Sequence, residues 1–128
     1  LTPEGAKKIY REEFWKPSRA GEIDDPVIRQ LYFDFYINSG RDAAVRNLQR
    51  AINQLGGQVD VDGFIGPETI EVLNRHPNPG EIYEQYRKNR IANYHKIVDD
   101  DESQRKFLDG WINRMDKFKS YDEMLKQY

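Results

Sequence analysis

The stretch Val61-Asp62-Gly63-Phe64-Ile65-Gly66-Pro67-Glu68-Thr69 constrains the fold more than any other. Within nine residues it holds a tight turn, a helix start and a hydroxyl in that helix's first turn. Gly63 after Asp62 is reversing-turn chemistry, since glycine reaches positive φ without a Cβ clash. Gly66-Pro67 ends the extended stretch and opens a helix, with Pro67 at the first helical position, where a missing N–H costs nothing. Phe64 and Ile65 lie between these signals and are expected to pin the turn to a core. The motif takes its meaning from the helix before it, which reads Leu48-Gln49-Arg50-Ala51-Ile52-Asn53-Gln54-Leu55-Gly56.

Helical signals fill the rest of the chain. Thr2-Pro3-Glu4 reads as cap, first-turn proline and dipole-favourable glutamate, opening a helix that runs to about Trp15. Lys16 to Asp25 is a connector. Asp25-Pro26 starts a second helix carrying Val27, Ile28, Leu31 and Phe35 and ending at Ser39-Gly40. Asp42 is expected to cap a third, with Val45, Leu48, Ile52 and Leu55 as its apolar stripe and Gly56-Gly57 as its stop. Val59 to Ile65 is the one β candidate, a short hairpin or a loop. A short helix follows from Pro67 to Arg75. Ile82, Tyr83, Tyr86, Ile91, Tyr94 and Ile97 outline a long helix that the acidic run Asp99-Asp100-Asp101-Glu102 breaks. Phe107, Trp111, Met115 and Phe118 mark the next, and Ser120 with Glu123 forms a capping box for a last short one.

These elements predict one all-α domain over residues 1–128, an orthogonal helical bundle with one short β-hairpin or loop. The net charge of −2 gives no basic field for nucleic acid. No apolar run approaches a membrane span, so no membrane insertion is expected. Without cysteine there is no disulfide or thiolate metal site, and the compartment stays open. Leu1 in place of Met reads as a processed, excised or renumbered chain.

Several segments together resemble a known family. They are Leu1-Thr2-Pro3-Glu4-Gly5-Ala6 through Phe14-Trp15, Phe33 to Gly40, Leu48-Gln49-Arg50-Ala51 with Asp62 to Thr69, and Gly110-Trp111-Ile112-Asn113-Arg114. Their order and spacing are similar to the later part of the glycoside hydrolase family 108 lysozymes, also described as secretion activator proteins. The resemblance implies a lysozyme-like helical fold, bacterial peptidoglycan as substrate and muramidase activity. It also implies a setting in the bacterial periplasm or cell wall, or a phage-encoded protein awaiting release.

Family members carry a Glu-Gly-Gly motif upstream, whose glutamate is the catalytic acid. No Glu-Gly-Gly occurs in this sequence, and Glu4-Gly5 stands in another context. Carried over residue by residue, the resemblance therefore supplies no catalytic residue here, and an upstream segment is expected to hold the acid. If such a lobe normally packs on the first helix, its absence would leave an apolar face open to self-association.

The residues themselves offer a substrate-binding set of Asp34, Tyr36, Asn38 and Ser39. Asp34 lies inside an apolar helix, where burial would raise its pKa and Asn38, one turn on, could orient it. The structural alternative is a hydrogen-bonded aspartate tying a loop to a helix. Tyr36, beside Asn38 and Ser39 at a helix end, suits a sugar face, whereas Tyr32, Tyr83, Tyr86 and Tyr94 have the spacing of core residues. Glu13 is explained by a solvated helix face. Neither EF-hand frame through Asp60-Val61-Asp62-Gly63 fits, His76 and His95 stand isolated, and neither a metal nor a cofactor is expected.

Two rival functions remain open. Leu48-Gln49, Leu55-Gly56 and Asp62 to Thr69 also resemble the short helical peptidoglycan-binding module found beside wall hydrolases, a likeness covering the middle third of the chain. A phage or secretion accessory interaction domain is the other.

Overall fold

The architecture comes from a computed structural model and describes residues 15–128. The helix expected from Thr2, with Glu13, lies outside the described residues apart from Trp15. Six helices follow: α1 (Pro26–Ser39), α2 (Arg41–Gln54), α3 (Pro67–Arg75), α4 (Pro79–Asp100), α5 (Arg105–Arg114) and α6 (Tyr121–Leu125).

The connector before α1 is more ordered than its sequence suggests. It holds two single turns, Lys16–Ser18 and Ala20–Glu22, and sinks Ala20 and Ile23 fully into the core. Helix α1 begins where expected. The Asp25 carboxylate accepts the Val27 and Ile28 N–H groups at 2.9 and 3.0 Å, and Pro26 occupies the first helical position. One residue, Gly40 at φ +91°, then separates α1 from α2.

Asp42 does not cap α2. The helix opens directly after Gly40, and the Asp42 carboxylate instead takes the Arg46 Nε at 2.7 Å. Positive φ at Gly40 reverses the chain so sharply that Asp42 already lies inside the first turn.

Residues 59–65 form no strand, because side chains of α2 take the place of a partner strand. Asn53 exchanges two hydrogen bonds with Val59, both 2.8 Å, donating from Nδ2 to the carbonyl and accepting the N–H at Oδ1. Gln49 does the same for Asp62, Gly63 and Phe64 farther along. A backbone whose polar groups are met by carboxamides needs no ladder.

Helix α4 ends at Asp100, inside the acidic run expected to break it. Lys96 pairs with Asp100 at 2.7 Å, and Asp101 caps the following turn through the Ser103 N–H at 3.1 Å. Phe107 also departs from the core stripe expected of α5. It is 46% exposed and stacks on the half-buried Trp111, while Met115 and Phe118 are buried.

The core is fastened by tyrosines that each bury a ring and donate one hydroxyl to a distant carbonyl. Tyr32 reaches Ser18 at 2.7 Å, Tyr83 reaches Lys119 at 2.7 Å, and Tyr86 reaches Ala44 at 2.8 Å. Each pairing removes an otherwise unmet polar group from the interior. The all-α orthogonal bundle expected from the sequence is the fold observed, with a loop where a hairpin was the alternative. Among the described residues no helix is long and apolar enough to cross a membrane.

Candidate functional site

Gln49 is fully buried and organises the Asp62-Gly63 turn. Its Oε1 accepts the N–H groups of Asp62 and Gly63, both at 3.1 Å. Its Nε2 donates to the Asp62 carboxylate at 3.0 Å, the Phe64 carbonyl at 3.0 Å and the Thr69 hydroxyl at 3.3 Å. Asp62 in turn accepts the Phe64 N–H at 2.9 Å, an Asx-type turn. The Phe64 amide and Gln49 hold the Asp62 carboxyl below its usual range. One buried carboxamide thus ties Asp62, Gly63 and Thr69 to the helix before them. Ile65 turns inward as expected. Phe64 does not: it is 59% exposed, with the Arg41 guanidinium 4.3 Å from its ring centroid.

Asp34 lies at the meeting point of α1, α4 and the end of α5. Its Oδ2 accepts from the Arg90 Nη2 at 2.8 Å, and its Oδ1 from the Arg114 Nη2 and the Lys117 Nζ, both at 2.9 Å. Arg114 Nε adds a longer contact to Oδ2 at 3.3 Å. Burial pushes the carboxyl up, but the hydrogen bonds from Arg114, Lys117 and Arg90, with the Arg90 charge, outweigh it, and the net displacement is downward. This corrects the expectation that burial would raise it. A carboxylate has about four acceptor sites, and cations fill them here.

Arg90 is wholly buried, its guanidinium carbon 4.8 Å from the Phe35 centroid and 5.6 Å from that of Phe118. Its Nε donates to the Tyr94 hydroxyl at 2.8 Å, and its Nη1 has no hydrogen-bond partner among the described residues. Three cations around one carboxylate leave two positive charges, and Arg114 and Lys117 carry them to the surface, their side chains 44% and 50% exposed. A groove of about 330 Å³ runs along α1 beside this cluster, lined by Trp15, Arg29, Gln30, Phe33, Asp34 and Tyr128 among others.

Of the four residues expected to bind substrate, Asp34 alone lines that groove. Asn38 does not orient the Asp34 carboxylate; its Nδ2 donates to the Asp34 carbonyl at 2.7 Å, closing the last turn of α1. Tyr36 is half-buried and meets Tyr32 edge to face, with centroids 5.9 Å apart. Ser39 sits at the helix end, beside Gly40. Sequence reasoning missed Gln49, Arg90, Arg114 and Lys117. Arg90 had a signal, since it falls four residues from both Tyr86 and Tyr94 on an apolar stripe, where a cation needs a buried partner.

A general acid for glycoside cleavage needs a raised pKa. Among the described residues the displaced carboxyls, Asp34, Asp62, Asp101 and Glu102, all move down. These groups are set in a helical bundle.

Comparison with known proteins gives that bundle its class. Residues 43–116, more than half of the chain, match the family model described as Predicted Peptidoglycan domain, and the chain belongs to that family. Residues 1–40 match the model described as Glycosyl hydrolase 108, so the resemblance drawn from the sequence is carried by both matches. Among solved structures, Brucella abortus SagA aligns with a TM-score of 0.71 at 26% identity, over 92% of this chain and 62% of that one. This chain therefore spans less than two thirds of that chain's length. No curated protein matches the sequence significantly.

Proposed function

We propose that this chain holds the glycan strand for a peptidoglycan muramidase, with the proton donor carried by an upstream segment. The observation that carries the reading is the saturated state of Asp34, whose acceptor sites are filled by Arg90, Arg114 and Lys117 beside the α1 groove. A carboxylate so held is a poor acid, yet it fixes two surface cations in place. Under this reading Asp34 acts by aiming Arg114 and Lys117 at carboxylates of the stem peptides. Tyr36, Asn38 and Ser39, at the end of α1, meet the sugar itself through a ring edge, an amide and a hydroxyl. The two family matches support peptidoglycan as the ligand.

The test is to pellet the purified chain with insoluble peptidoglycan and, separately, to follow clearing of a cell-wall suspension. Retention without clearing is the expected result, with Arg114→Gln and Lys117→Gln each releasing part of the chain. Clearing by this chain alone that is lost in Asp34→Asn would overturn the assignment of the acid to another segment.

The length of the 43–116 match favours a second reading, a binding module that never takes part in catalysis. Joining an upstream segment containing Glu-Gly-Gly to Leu1 separates the two. Clearing by the joined protein supports the muramidase, and retention without clearing supports the module.

A further inference from the structure

Phe64 contributes little to the core, yet both of its backbone polar groups are hydrogen-bonded to side chains. Its carbonyl accepts from the buried Gln49 Nε2 at 3.0 Å and its N–H donates to Asp62 at 2.9 Å. Gly63, just before it, is bound to the Gln49 Oε1 at 3.1 Å and sits at φ +79°. Arg46 holds the other side of the turn, donating to the Val61 carbonyl at 3.0 Å. A turn fixed on every side from within, with a ring 59% exposed at its tip, presents that ring in one place.

The surroundings suit a ligand. The Arg41 guanidinium lies over one face of the ring, 4.3 Å from its centroid, and more than half of the residue is exposed. A Cβ built on Gly40, next to Arg41, or on Gly66, two residues past Phe64, would meet nothing within 4 Å among the described residues, which leaves room for approach there. An aromatic face packs on the C–H surface of a pyranose, and a guanidinium beside it donates to carboxylate or hydroxyl oxygens. Because the turn is ordered beforehand, little conformational entropy is lost when a ligand settles on it.

The geometry points to Phe64 and Arg41 as a saccharide platform, a contact with the peptidoglycan glycan separate from the α1 groove. Phe64 takes the apolar face of one sugar, and Arg41 takes an oxygen of the neighbouring residue or its peptide. This assignment rests on the reading of the chain as a glycan-holding part.

The experiment is retention of the full 128-residue chain on insoluble peptidoglycan, comparing wild type with Phe64→Ala, Phe64→Trp, Arg41→Gln and Phe107→Ala. Phe64→Ala is expected to weaken retention about tenfold, the effect of removing one contacting ring. Phe64→Trp should be retained like wild type, Arg41→Gln should be weakened, and Phe107→Ala, an exposed ring elsewhere, should be unchanged. Thermal melts of each variant accompany the assay. If Phe64→Ala melts early, a wild-type melting temperature with weak retention in Phe64→Trp would count against the platform. Equal retention of wild type and Phe64→Ala would overturn the platform and leave the glycan-holding reading intact. Failure of the wild-type chain to pellet would overturn both.

Discussion

The Arg90 guanidinium reaches the Asp34 carboxylate at 2.8 Å from a side chain wholly removed from solvent, tying α4 to α1. Removing one partner of such a pair strands the other charge in the interior, at a cost of about 3–5 kcal/mol. Asp34→Asn keeps the shape and one acceptor oxygen, so its loss should fall near the lower end. Urea denaturation of the two proteins measures it.

The same pair sets an acid limit. The folded Asp34 carboxyl titrates below its ordinary value of 3.8, so its contribution to stability is complete above that value. It drains away as the pH falls through the folded value. Wild type should therefore lose stability on acidification more steeply than Asp34→Asn, and melting temperatures over a series of acidic buffers check the slope.

Gln49→Leu should be among the most damaging single changes outside the apolar core. It leaves the Asp62 and Gly63 N–H groups without their acceptor, at about 1–3 kcal/mol for each group that water cannot reach. Gln49→Glu is a sharper probe, because it sets a second carboxylate where Nε2 now meets the Asp62 carboxylate at 3.0 Å. That variant should regain stability as the pH is lowered, the opposite of the wild-type trend.

Gly63→Ala should cost about 1–3 kcal/mol, because the turn holds this residue at φ +79°. The new Cβ would also lie 2.7 Å from the Asp42 carboxylate oxygen. That contact is with the end of a flexible side chain, so Asp42→Ala should restore little. A full restoration would show that contact, not backbone conformation, sets the requirement for glycine.

Burial pushes the Tyr83 hydroxyl up to about 12 from 10.0, and its bond to the Lys119 carbonyl uses the proton. Its folded pKa lies above the unfolded one, so its contribution is intact below pH 10 and is lost as the pH climbs toward 12. Tyr32, Tyr86 and Tyr121 are also raised, so the tyrosinate absorbance of Tyr83→Phe should lose one of several late-titrating groups, and the variant should flatten the alkaline fall in stability.

The helices were legible because their ends carry unambiguous chemistry. Asp25-Pro26, Gly66-Pro67 and Ser120 mark starts that the structure keeps. Residues 59–65 left hairpin and loop both open, because alternating valines look alike whether the partner is backbone or a carboxamide, and the structure takes the loop. Phe64 was expected inward from its place between the turn and the helix start, although Ile65 next to it suffices to anchor the turn. A hydrogen-bonded Asp34 was one of the two readings open in the sequence, but its partners were not legible. Arg90, Arg114 and Lys117 lie 56, 80 and 83 residues away, and only tertiary packing brings opposite charges together over such separations. Without them, burial alone pointed the pKa the wrong way.

Gly40 is a hinge in sequence but a weld in space. The stretches matched to the two families stop and start around it, at residues 40 and 43, which invites dissection of the gene there. The cut would part Asp34 from Arg90, Tyr32 and Phe35 from Tyr86, and the Ser18 to Phe35 wall from everything it leans on. Exchange of halves between relatives is therefore expected to succeed only where both sides of that seam travel together.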